Sequence, residues 1–307
     1  MARIKANGIE IEYEETGSSN DPLMLLVSGF SGQLTRWPDA LKRGLADAGR
    51  RVVCFDNRDI GLSTEFSGIV PPAPRDIVQA ISGGTPPEKV VPYLLNDMAA
   101  DAAALVTALG ADKADVLGVS MGGMIVQLMA LNHPERVRTL IPVMTTSSAP
   151  DLPRSTPEAQ AALTAVPETR SAEAVAELAV KSRRVIGSHE DIRAADDSIR
   201  EQTVADFNRS DRPMGVARQY AAIVAQPSWH ERLGGITQPT LVLHGAIDPL
   251  IRPEAGRDIA SRIPGAELAV IGKWGHDLPD RIVPTLLTHI VPFLGRHMPE
   301  AARAGIA

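Results

Sequence analysis

Short apolar runs alternate along the chain with longer stretches in which apolar residues recur every three or four positions. The runs lie at 9–13, where apolar and charged residues alternate, at Leu23–Val27, at 52–55, and in "ADVLGVS" and "RTLIPVMT". Runs of this length, bounded by turn formers, read as strands. Between them the pattern predicts a helix over 35–48 stopped by Gly49, one over "DMAADAAALVTALG" stopped by Gly110, and one over Met121–Asn132 closed by His133-Pro134. In the second, Met98, Ala102, Leu105, Val106 and Leu109 share a helical face. Between residue 55 and that helix the chain reads as a long connection with proline clusters at 71–74 and 86–87.

Over 147–236 the alternation lapses. This stretch is rich in Ala, Glu, Asp and Arg and offers helices near 157–165, 172–185, 191–207 and 214–226, with no convincing strand. Alternation resumes with "PTLVLHG", a helix over 257–262, "AELAVIG" and a last helix near 281–294. Strands alternating with helices imply an α/β protein: a mostly parallel β-sheet with helices on both faces. The expected organisation is a core of residues 1–146 and 237–307, with residues 147–236 as a helical cap or lid over one end of the sheet. No internal repeat is visible.

Composition narrows the function classes. Hydrophobic residues make up 44% and charged residues 22% of 307, an ordinary globular balance. A net charge of −6 without a basic run disfavours nucleic acid as a partner. The single cysteine, Cys54, excludes an internal disulfide, reads as a buried strand residue and suits a reducing, cytoplasmic compartment. The first residues turn polar at once, with no apolar stretch of the signal-peptide kind, and no run approaches the roughly 18 residues of a membrane span. A homodimer is left open.

The chemistry is concentrated in Gly118-Val119-Ser120-Met121-Gly122, which fits G-x-S-x-G between a predicted strand and a predicted helix. A sharp turn there would lift the Ser120 hydroxyl above the carboxyl end of the sheet; the bland alternative is a helix-capping serine. Phosphate-cradling loops do not compete, since neither G-x-G-x-x-G nor G-x-x-x-x-G-K-[ST] occurs and Gly272-Lys273 is followed by Trp274. Of the seven histidines, His133 closes a helix, His189 and His230 lie in the insertion, His244 sits inside a strand, and His289 and His297 fall in the last helix and tail. His276, in "GKWGHDLP", follows the last strand, where Gly275 lets the chain turn and present a general base. Asp248, just past the preceding strand and stiffened by Pro249, is the candidate to orient it. Asp277 adjoins the histidine and would point elsewhere, and Asp258 and Asp280 lie on helices. The oxyanion of an acyl-transfer intermediate needs two convergent N–H groups. Met121, first in its helix, supplies one. Phe30, in "SGFSG" after the first buried strand, supplies the other, with Gly29 letting the backbone fold over the site.

Together these residues resemble the α/β-hydrolase superfamily over nearly the whole chain outside the insertion. "SGFSG" stands where many members carry His-Gly, and "DNRDIGLS" at 56–63 stands for the Asp-x-Arg-x-x-Gly-x-Ser segment. "GVSMGG", "HGAIDPL" and "GHDLP" stand for nucleophile, acid and base. The "DNRD" loop, Trp37-Pro38 and the Gly-His-x-Leu-Pro ending are most similar to the aclacinomycin methylesterase-like esterases. The resemblance implies the α/β-hydrolase fold with the cap inserted after the sixth strand. It also implies a serine hydrolase cleaving small to medium carboxylic esters through an acyl-enzyme, with no cofactor and no metal; the "SHED" cluster at 188–191 reads as a helix start. Ser28 replaces the common histidine, so the loop's support is expected to differ. Arg58 and Asp59 are expected to form a structural network beneath the site. A lactonase, a C–C bond hydrolase, a perhydrolase or a slow-turnover receptor would use the same side chains.

Overall fold

The structure, a computed structural model, describes residues 1–298. Eight strands form one sheet: β1 (Ala2–Ala6), β2 (Ile9–Thr16), β3 (Leu23–Val27), β4 (Arg51–Phe55), β5 (Ala114–Val119), β6 (Val137–Val143), β7 (Leu241–Gly245) and β8 (Glu267–Ile271). Their order is β1-β2-β4-β3-β5-β6-β7-β8, with β1 and β2 antiparallel and the rest parallel. β1 was not expected, because its run of Arg3 and Lys5 hides the alternation. Its signal is the turn: Asn7 and Gly8 have φ of 48° and 77°, which suits a tight hairpin.

The helices outside the insertion are α1 (Asp39–Asp47), α2 (Pro74–Ser82), α3 (Leu95–Ala108), α4 (Met121–Asn132), α9 (Pro253–Arg262) and α10 (Val283–Arg296). Alternation along β3 assigns the two layers. Leu23, Leu25 and Val27 pack with Met98 and Leu105 of α3, Ile125 of α4 and Ile259 of α9. Met24 and Leu26 face Leu41 and Leu45 of α1 and Leu286, Ile290 and Phe293 of α10 on the other side. A strand covered on both faces is apolar at every position, which is why the run reads without alternation.

Three expectations shift. The helix over 35–48 splits into a short 3-10 turn at Leu34–Arg36 and α1, because Pro38 caps α1 in an extended conformation. α2 stands where a plain connection was expected, with Pro74 tolerated in its first turn. The insertion contributes α5 (Pro157–Thr164), α6 (Ala172–Ile186), α7 (Asp196–Arg209) and α8 (Pro213–Ala225). α7 starts later than 191 because Ala195 is extended, with ψ of 147°. Ile77 of α2 packs with Ala221 and Ala225 of α8.

Candidate active site

β3 and β5 are neighbours, and the chain leaves them for opposite sides of the sheet. A crevice at such a switch point opens beyond the strands' carboxyl ends. Ser120 sits there, between β5 and α4, with φ of 54° and ψ of −121°, a strained conformation for a non-glycine residue. Its neighbours enforce it. A Cβ on Gly118 would lie 2.1 Å from the Gly122 carbonyl oxygen, and one on Gly122 would lie 2.0 Å from that of Val27. The turn is pinned by the Ser120 N–H donating to Val143 O at 3.0 Å and by Thr145 Oγ1 donating to Ser120 O at 2.8 Å.

The structure brings Ser120, His276 and Asp248 together. Ser120 Oγ is 2.9 Å from His276 Nε2, and His276 Nδ1 is 2.7 Å from Asp248 Oδ2. A carboxylate only accepts, so Nδ1 carries the proton and Nε2 is left to accept from the serine hydroxyl. Asp248 Oδ1 takes the N–H groups of Leu250 and Ile251, both at 2.9 Å. Burial alone would raise the Asp248 pKa, but His276 and His244 outweigh it and hold the group at about 2.

The N–H groups of Phe30 and Met121 have no acceptor among the described residues, while Ser31 N–H donates to Gln219 Oε1 at 3.1 Å and Gly32 N–H to Gly29 O at 3.1 Å. Gly29 lies against the serine, for a Cβ there would be 3.2 Å from Ser120 Cβ. Ser28 also finds its use. Its hydroxyl accepts the Trp37 indole N–H at 2.9 Å, and its carbonyl accepts Asn57 Nδ2–H at 3.0 Å. Arg58 and Asp59 are buried as expected. Arg58 bonds both oxygens of Asp101 at 2.6 Å, and Asp59 takes a two-pronged contact from Arg218 of α8 at 2.8 Å.

Residues of the insertion line this crevice and are hydrogen-bonded to its loops. Thr156 N–H donates to Pro249 O at 2.9 Å, beside Asp248. His276 N–H donates to Ile186 O at 2.7 Å, at the end of α6, and Ser188 donates to Asp277 Oδ1. Gly275 therefore serves a close approach: a Cβ would meet Gly187 O at 2.2 Å, and its φ is not left-handed. The cavity between the insertion and the sheet is about 460 Å³, with Ser120, His276 and Phe30 in its wall beside Leu163, Val175 and Leu178.

The sequence model of the alpha/beta hydrolase fold matches residues 22–280. The chain belongs to the alpha/beta hydrolase fold family. It is 28% identical over 302 residues to rhodomycin D methylesterase DauP from Streptomyces sp. strain C5, covering 90% of this chain and 92% of that protein. Similarity to the rhodomycin D methylesterase DnrP of Streptomyces peucetius is 27%, over 87% and 88% of the two chains. Among solved structures, a thermophilic esterase from Thermogutta terrifontis superposes with a TM-score of 0.70 at 24% identity, covering 97% of this chain and 99% of that one. The enol-lactonase from Burkholderia xenovorans LB400 gives 0.72 at 22%, covering 96% and 100%.

Within this hydrolase, sequence reasoning missed several residues that support the site. His244, at the end of a strand, is fully buried, with its Nε2 2.8 Å from the Ile251 carbonyl oxygen and 3.6 Å from Asp248 Oδ2. Its place four residues before the acid was the available signal. Ser188, Arg218 and Gln219 carried none, because each meets its partner far away in sequence. Among the described residues, no group of His, Cys, Asp or Glu is arranged to hold a metal, and no helix is long and apolar enough to cross a membrane.

Proposed function

We propose that the protein is a carboxylic ester hydrolase in which Ser120, His276 and Asp248 form a catalytic triad. The observation that carries this reading is the unbroken line from Ser120 Oγ through His276 to Asp248, at 2.9 and 2.7 Å. Ser120 Oγ attacks the ester carbonyl while its proton passes to His276 Nε2. The carbonyl oxygen becomes an oxyanion held by the N–H groups of Phe30 and Met121, each such donor lowering the barrier by ~3 kcal/mol. The tetrahedral intermediate collapses, the bond to the alcohol breaks, and the leaving oxygen takes the proton from His276. Water then adds to the acyl-enzyme, with His276 accepting its proton and returning it to Ser120 Oγ as the acid departs. Asp248 keeps the imidazole oriented and balances its charge.

Residues 147–236 act as a cap on a core of 1–146 and 237–307, supported by the residues that α5, α6 and α7 contribute to the cavity wall and by its small apolar side chains. Small to medium esters fit a space of about 460 Å³. The likeness to methylesterases supports an ester with a small alcohol part. Cys54 is buried and its thiol is pushed up to about 12 by that burial, so it is inert and compatible with cytoplasmic work.

The test is a panel of p-nitrophenyl and methyl esters of varied acyl length, with lactones and vinylogous diketones beside them, followed by mass analysis of the quenched enzyme. Fastest turnover on the esters, with one acyl group trapped on the peptide containing Ser120, is expected. Faster lactone or diketone cleavage would replace the ester assignment, and an acyl group elsewhere would refute the nucleophile.

A further inference from the structure

Two guanidinium groups line the cavity over Ser120, and they are in different states. Arg36 is engaged, its Nε meeting Asp206 Oδ2 at 2.7 Å. Arg183, in the last turns of α6, is half-buried and makes no ion pair among the described residues. Its one hydrogen bond there runs from Nη1 to the carbonyl oxygen of His276 at a long 3.4 Å. Asp277, the carboxylate in the same wall, is committed to Ser188, accepting its N–H at 3.1 Å and its hydroxyl at 2.5 Å. The insertion also brings the apolar Leu163, Val175, Leu178 and Ile186 to this wall, with Ser182, Ser198, Gln202 and Thr203 as its neutral polar side chains.

A guanidinium on the cavity wall with no carboxylate partner and most of its five N–H donors without a protein acceptor is free to offer them to an anion that enters the cavity. The planar fork of an arginine fits a carboxylate with two parallel bonds. Burial pushes the Arg183 pKa down, Asp277 opposes this in part, and Arg36 adds to it. The same residue that Arg183 touches presents its ring to Ser120, so an anion on Arg183 lies next to the reacting ester.

We propose that Arg183 is a binding residue for a substrate carboxylate, so that the preferred esters carry an ionised carboxyl group a few bonds from the scissile carbonyl. This rests on ester hydrolysis at Ser120 for its substrate class, but not for the anion site itself. The carboxylate can sit in the acyl part or in the alcohol part, and paired substrates separate the two. Monomethyl glutarate is compared with methyl valerate, and 3-acetoxypropanoate with butyl acetate, by kcat/KM.

In one of the two pairs the charged ester is expected to be preferred at least about tenfold. Arg183→Met should bring that ratio close to one, and Arg183→Lys should keep part of it. Independently, calorimetry should show glutarate binding to the Ser120→Ala protein and weakening at least about tenfold when Arg183→Met is added. No preference in either pair while neutral esters are hydrolysed would overturn the carboxylate site and leave the esterase standing. Glutarate binding that ignores Arg183 would overturn it as well. Glutarate binding that depends on Arg183 in a protein that hydrolyses no ester would support the site and remove the esterase.

Discussion

In β3 every side chain from Leu23 to Val27 is at most 3% exposed, whereas α6 and α7 of the insertion each bury only two residues, Ala176 with Val180 and Thr203 with Asp206. The sheet is fixed by apolar packing on two faces, which is non-directional and strong in sum. The insertion packs α8 on Ile77 through Ala221 and Ala225, but its other ties to the core are largely directional polar contacts. Arg36 and Thr35 meet Asp206, Arg218 meets Asp59, and Ile186 and Ser188 meet the His276 loop. The distances between Ser120, Asp248 and His276 are therefore set by the apolar packing of the sheet. The part of the cavity wall that the insertion contributes is held largely by a few polar bonds.

Breaking the scaffold's chemistry should cost most. Ser120→Ala is expected to lower kcat by about 10⁴- to 10⁶-fold with the thermal midpoint nearly unchanged, measured by stopped assays and calorimetry. Asp248→Asn should lower kcat by about 10³- to 10⁴-fold, because the imidazole loses its orientation. The same carboxylate supplies a pH signature. Its folded pKa is depressed to about 2, so its stabilising contribution is present above the ordinary value near 3.8 and is lost as pH falls toward 2. That loss amounts to roughly 2 kcal/mol and should vanish in Asp248→Asn, as read from denaturation midpoints between pH 5 and 2. The acid limb of kcat/KM above pH 4 then belongs to a group other than Asp248.

Next in size is geometry. Gly122→Ala forces a carbon onto the Val27 carbonyl and should cost more than ~3 kcal/mol, seen as a lowered urea midpoint or as insoluble protein. Arg218→Met leaves Asp59 buried and unpaired, although Tyr93 still donates to it at 2.7 Å. A loss of ~3 kcal/mol is expected, with the insertion separating first from the sheet in hydrogen exchange. The smallest effect belongs to the selecting wall: Leu178→Ala should raise KM for longer acyl chains by about threefold to tenfold and leave kcat for acetate esters unchanged. If Leu178→Ala cost as much stability as Gly122→Ala, the contrast between the two regions would fail.

Legibility in the sequence follows the same division. The strands, α3, α4 and the three residues now within hydrogen-bond reach of one another were readable, because periodicity and the G-x-S-x-G turn are local patterns. β1 and α2 were not. The first carries charges on its exposed face, and the second is introduced by prolines that also introduce loops. The contacts of Arg183, Ser188, Arg218 and Gln219 lay beyond pattern reading, since nothing local distinguishes an arginine that meets Asp59 from one that meets water. The reason for Gly275 is hidden from the sequence, because backbone crowding by Gly187 leaves no trace in one segment alone.

The seam at Gly187 and Ser188 has a consequence for anyone rebuilding this enzyme. Replacing residues 147–236 with a foreign insertion would carry away the carbonyl of Ile186 and the hydroxyl of Ser188, on which the loop bearing the His276 imidazole rests. A graft that ends before residue 186 keeps the His276 ring in register; one that runs past 188 must bring its own replacement for both.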